Sequence, residues 1–218
     1  TGDDNDQTFS ADTLTAVPAA DKTLSASSVD QTGEGGPNTL DSVTVGEVVE
    51  YETVLTIPEG QLPTVTLVDT LQSGLVFKEC IAMSASSGLS SDSLTDLNVC
   101  PTPVISNNGR TATFDLGTLT NASSSNDVPE TLTLKVSAVV TNVSANQRGA
   151  TLNNQAVWSW EGGGETVDSG NVTLLEPTLQ VEKSESHTPP LDAGDTVTYT
   201  LVVSHTSASN TDAYDVSL

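Results

Sequence analysis

Alternation with a period of two runs through most of this chain, and it limits the fold more than any other feature. Val43, Val45, Val49, Tyr51, Leu55 and Ile57 fall on one parity, as do Leu132, Leu134, Val136, Ala138 and Val140. Later, Val197, Tyr199, Leu201 and Val203 alternate with Thr196, Thr198 and Thr200. Successive side chains of a strand point to opposite faces, so this pattern predicts half-buried antiparallel strands. No segment carries a helical stripe. Asn107-Asn108-Gly109 and the triple glycine Gly162 to Gly164 read as hairpin turns. The expected fold is all-β, an immunoglobulin-like β-sandwich.

The same strand occurs twice. "GEVVEYETVL" begins at Gly46 and "GDTVTYTLVV" at Gly194. Tyr51 corresponds to Tyr199, and upstream "ADKTLS" with Lys22 corresponds to "VEKSES" with Lys183. Val65-Thr66-Leu67 corresponds to Val216-Ser217-Leu218. A spacing of about 150 to 160 residues suits tandem domains rather than a solenoid. The chain therefore divides into a complete domain over 18–177 and the first strands of a second repeat over 178–218. Residues 1–17 resemble the segment that closes the first copy ("DQTFSADTLTAV" against "TVDSGNVTLLEP"). They read as a linker, the last strand of a preceding domain, or a strand donated to a neighbour. The expectation is a piece of a longer tandem array, with strand donation as the alternative.

The 218 residues carry 29 acids against 6 bases, a formal charge of −23. Phosphate backbones and anionic membrane surfaces both need Lys and Arg, so neither is an expected partner. Acidic, Thr-rich faces suit a solvated surface outside a cell. No stretch approaches the roughly 20 apolar residues of a membrane-spanning helix. The chain lacks a signal peptide and does not begin with Met, as a processed or excised piece would.

The two cysteines, Cys80 and Cys100, bracket a Ser-rich loop. A disulfide would pin that loop and imply an oxidising compartment; the alternative is two free buried thiols. Neither sits in a CxxC, and no His lies near enough in sequence for a metal site.

The strings "GDTVTYT" and "VTLVDTLQSGLVF" resemble the immunoglobulin-like tandem repeats of bacterial and archaeal surface proteins. The usual pattern maps onto Lys22, Gly46 to Thr53, Asp69 to Leu75 and Asn154-Gln155-Ala156. Gln72 stands where Pro is usual, and Glu47 and Glu50 stand where Asp and Thr are usual. The resemblance covers most of residues 20–176, and 178–218 again. It implies spacer or adhesin modules, some of which form internal Lys–Asn isopeptide bonds.

Parity supports the parts for such a bond. Lys22 shares a face with Leu24, Asp69 with Leu67 and Leu71, and Asn154 with Leu152, Ala156 and Trp158. Desolvation favours the uncharged forms of an amine and a carboxyl group. A neutral amine can attack while a protonated acid polarises the carboxamide. The alternatives are a buried ion pair with Asn as a hydrogen-bond partner, a lysine that snorkels to water, or a register in which Asn153 takes the place of Asn154.

Other candidates are weaker. Asp3, Asp4 and Asp6 offer carboxylates for a calcium ion, or simply a solvated linker. Asn121, Asn142 and Asn171 open Asn-x-Ser/Thr sequons, expected on exposed edges. Trp158 and Trp160 could stack a sugar, although core packing is the stronger expectation. No HExxH, GxSxG or phosphate-binding loop occurs, and no enzyme activity is expected. The functional expectation is a non-catalytic link of an extracellular, cell-surface fibre, partnered by copies of itself or adjacent repeats. The alternative is an adhesin whose 79–101 loop or Trp face grips a glycan or protein.

Overall fold

The computed structural model describes residues 17–28, 40–123, 129–209, 211–213 and 216–217. They are almost wholly strand and turn. Strands run in order β1 (Ala19–Ser27), β2 (Ser42–Thr44), β3 (Val48–Ile57), β4 (Gly60–Leu71), β5 (Leu75–Ala85), β6 (Leu89–Ser91), β7 (Val104–Ser106), β8 (Thr111–Asn121), β9 (Glu130–Val140), β10 (Thr151–Leu152), β11 (Asn154–Trp160), β12 (Gly163–Asp168), β13 (Val172–Leu175), β14 (Leu179–Ser186) and β15 (Thr198–His205).

Two large sheets face each other. One is ordered β1-β3-β9-β5; the other is ordered β12-β11-β4-β8-β6, with β7 also on β8. A small sheet, β10-β13-β2, contains a parallel pairing of β13 with β2. The hairpin β14-β15 forms a sheet of its own.

The expected alternation is carried out residue by residue. β3 alternates between half-buried and buried along its whole length, and Val49, Tyr51, Thr53, Leu55 and Ile57 form its inner face. Leu132, Leu134, Val136, Ala138 and Val140 supply the inner face of β9 beside it. Leu67, Leu71, Phe114, Leu116 and Trp158 face them from the other sheet. Burying each of these large side chains stabilises the fold by about 1.5–3 kcal/mol, before the chain entropy that offsets it.

The predicted turn at Asn107–Gly109 is present; the one expected at Gly162 to Gly164 is shifted by one residue, since Gly163 and Gly164 pair within β12. A single 3-10 turn, Asn107–Gly109, joins β7 to β8, with positive φ at all three residues. Asn and Gly are the residues that tolerate this conformation. Glu161 and Gly162 close the β11–β12 hairpin.

Candidate functional site

Lys22, Asp69 and Asn154 meet between the two large sheets. Lys22 enters from β1, the edge of the four-stranded sheet, and is 3% exposed. Asp69 and Asn154 enter from β4 and β11 opposite, and neither is exposed at all. Asn154 pairs with Leu71 and Ala156 with Asp69, so the carboxamide and carboxyl are diagonal neighbours on one face. Lys22 Nζ donates to Asp69 Oδ2 at 2.5 Å, and Asn154 Nδ2 donates to the same oxygen at 3.4 Å. Asn154, not Asn153, holds the inward position. Asn153 Nδ2 instead donates to Asp168 Oδ1 at 2.6 Å on the outer side.

The surroundings fix these groups and keep water away. The Tyr51 ring lies beneath the amine, with Nζ 5.5 Å from its centroid. Burial, and then the Asp69 charge, push the Tyr51 phenol well above its ordinary range. Trp158 Nε1 donates to Thr53 Oγ1 at 3.1 Å, and Thr53 Oγ1 donates to Asp21 O at 3.0 Å, which anchors β1 next to Lys22. On the outer side, Ala20 N–H donates to Glu165 Oε2 of β12 at 2.6 Å. Three buried oxygens at the centre have no hydrogen-bond partner: Asp69 Oδ1, Asn154 Oδ1 and the Tyr51 hydroxyl. Such atoms are costly in a dry core. A single proton on Asp69 Oδ1 would turn one orphan acceptor into a donor for another.

Sequence patterning points to the three polar groups but gives no role to Tyr51, Thr53 or Glu165. The signal for Tyr51 is its return as Tyr199 in the repeated strand.

Cys80 and Cys100 are joined, with Cα atoms 6.0 Å apart. The bridge ties β5 to the loop that leads into β7, at the sandwich edge opposite β1.

Asn121 requires a correction. Its sequon was expected on an exposed edge, but the residue is 3% exposed. Its Nδ2 donates to Ile57 O at 2.8 Å and to Glu130 Oε2 at 3.1 Å. The nitrogen that a glycan would need is committed inside the fold. Asn142 and Asn171 are exposed. Trp158 is fully buried, so the pair of tryptophans forms no stacking platform. Asp3, Asp4 and Asp6 lie outside the described residues. Among the described residues, no group of three or more His, Cys, Asp or Glu side chains is arranged to hold a metal ion, and no helix is long and apolar enough to cross a membrane.

No family model and no curated protein matches the chain by sequence. Solved structures do resemble it. The major pilin subunit BcpA of Bacillus cereus aligns at 15% identity and a TM-score of 0.45, over 77% of this chain and 42% of that one. The pilus backbone protein RrgB from Streptococcus pneumoniae aligns at 14% identity and a TM-score of 0.44, over 90% of this chain and 48% of that one. Two domains of the major pilin SpaD from Corynebacterium diphtheriae align at 13% identity and a TM-score of 0.42, over 81% and 58%. The chain thus spans about half the length of these structures.

Proposed function

We propose that this chain is a non-catalytic structural link of an extracellular fibre or cell-surface stalk, built from tandem sandwich units and tied internally by an amide between Lys22 and Asn154. The observation that carries this reading is the meeting of amine, carboxyl and carboxamide, all buried, between the two sheets.

The chemistry balances within the three side chains. Lys22 Nζ attacks Asn154 Cγ, forming the new C–N bond. Asp69 Oδ1, protonated, donates to Asn154 Oδ1 and draws charge from the carbonyl carbon. Asp69 then passes a proton from the attacking amine to the departing Nδ2. The Cγ–Nδ2 bond breaks, ammonia leaves, and Asp69 is regenerated.

The mechanical consequence follows from topology. Among the described residues, β1 is an edge strand paired only with β3. A covalent tie from β1 to β11 stops it peeling when the chain is pulled. The disulfide secures the opposite edge and fits an oxidising exterior. The charge of −23 keeps neighbouring fibres apart. Copies of the same unit, or adjacent repeats, are the partners this design needs.

Intact mass under denaturing conditions tests the reading. The expected mass is lower than that of the sequence by one ammonia beyond the disulfide, and Lys22→Ala restores it. Peptide mapping then recovers a Lys22–Asn154 linked pair. A full sequence mass, with Lys22 and Asn154 peptides recovered separately, overturns the cross-link.

A further inference from the structure

Tension on the sandwich would enter and leave at opposite ends of β3. β1 begins at Ala19, which lies near the end of β3, opposite Thr56. β13 ends at Leu175, opposite Thr44. A turn from Thr44 to Glu47, closed by Glu47 N–H donating to Thr44 O at 3.2 Å, reverses the chain from β2 into β3, so Thr44 lies where β3 begins. β3 has 10 residues, which puts the two points about 30 Å apart along the strands. β13 runs parallel to β2, hence against β3, and leaves the sandwich along its own axis.

β13 is the central strand of its small sheet. On one side Thr173 N–H donates to Asp41 O at 2.8 Å, at the start of β2. On the other, Leu174 N–H donates to Ala150 O at 2.7 Å and Gly149 N–H donates to Leu174 O at 2.9 Å. Val172 and Leu174 are buried in the core. Past the strand, Arg148 N–H donates to Glu176 Oε2 at 2.9 Å, and its guanidinium donates to Thr178 Oγ1 at 3.2 Å. A pull along β13 loads its ladder bonds together, because they lie across the strand. β12 is held differently. Asp168 pairs with Gln155, the residue after Asn154. Once β13 has left, a pull on Asp168 opens that hairpin one pair at a time.

We propose that the small sheet β10-β13-β2 is the load-bearing clamp of the sandwich. With Lys22 joined to Asn154, tension passes from β1 through the amide to Asn154 and bypasses residues 23–153. Residues 155–175 then lie between the tie and the exit, and resistance of β13 to shear keeps them folded. Their release lengthens the unit by at most about 75 Å, against on the order of 450 Å for an untied unit with its disulfide intact. The inference rests on the internal tie proposed above and adds the element that carries the load beyond it.

Optical tweezers on the full chain test this, with DNA handles on Val17→Cys and Gln180→Cys, both at exposed positions. The expected opening is a step of at most about 75 Å, which Lys22→Ala converts to one of about 450 Å. At constant force, Leu174→Ala should raise the rate of the short step about tenfold or more. Thr173→Pro removes the N–H given to Asp41 O and should raise it too. Phe114→Leu, in the bypassed segment, should lower the thermal midpoint and leave that rate within about twofold. If Leu174→Ala and Thr173→Pro open at an unchanged rate, the clamp is overturned while the short step still reports the tie. A step of about 450 Å with Lys22 in place overturns the tie and the bypass together.

Discussion

Lys22 Nζ lies 2.5 Å from Asp69 Oδ2, and neither side chain is reached by solvent. The two residues belong to opposite sheets, so every later property of the site depends on this contact across the core. Breaking one side of such a pair leaves a charge with no water and no partner. Asp69→Leu should therefore unfold at lower urea than the double variant Lys22→Met/Asp69→Leu, by about 3–5 kcal/mol. Equal stability of the two would mean that the lysine reaches solvent in the single variant.

Trp158 is a core residue that also makes a hydrogen bond to Thr53. Trp158→Ala should destabilise the sandwich by about 3–5 kcal/mol through the cavity left behind. Trp158→Phe keeps most of the volume and loses one hydrogen bond, at about 0.5–1.5 kcal/mol, since Thr53 Oγ1 still donates to Asp21 O. Thermal unfolding of the two variants checks the order.

Reduction of the Cys80–Cys100 bridge, which spans a sequence separation of 20, should lower stability by about 3 kcal/mol. The fold should survive, because the loop adds only Leu97, with Leu94 packed against it, to a core otherwise built by the strands. Amide exchange should rise over residues 81–99 and stay low in β3 and β9.

Expression in a glycosylating host should place sugars on Asn142 and Asn171 and leave Asn121 bare in the folded protein. Peptide mapping after enzymatic deglycosylation reads the three sites. Asn121→Ala should cost about 1–3 kcal/mol, since the buried Ile57 carbonyl then loses its donor.

Acid should weaken the fold through two carboxylates held below their ordinary range. The Thr118 backbone N–H, then the Thr118 and Ser93 hydroxyls, hold Asp92 down. The Ser123 hydroxyl and then the Asn121 amide do the same for Glu130. In each case the unfolded chain takes up its proton at higher pH than the folded one. The contribution is complete above the ordinary carboxylate range and is lost as pH falls toward the lowered folded value. Asp92→Asn should flatten the dependence of the urea midpoint on pH over that interval.

The legible parts of this structure are those that period-two burial writes into the chain. β3 and β9 could be read almost residue by residue, because half-buried strands require alternation. The inward placement of Lys22, Asp69 and Asn154 was legible for the same reason. Parity gives a face but no partner across the core, so the roles of Thr53 and Glu165 emerge only once the sheets are stacked. Asn121 shows the opposite failure. A sequon is a local string, whereas burial of its amide depends on Ile57, more than 60 residues away in the chain. The parallel pairing of β13 with β2 was also invisible, since both strands are too short to carry a pattern.

The bridge between Cys80 and Cys100 has a consequence for how such units could be chained together. Those are the only two sulfhydryl side chains in the sequence, and each is satisfied by the other within one sandwich. This stretch offers no thiol to a neighbour, so on the proposed fibre reading a reducing environment would loosen a loop in each unit without separating the units.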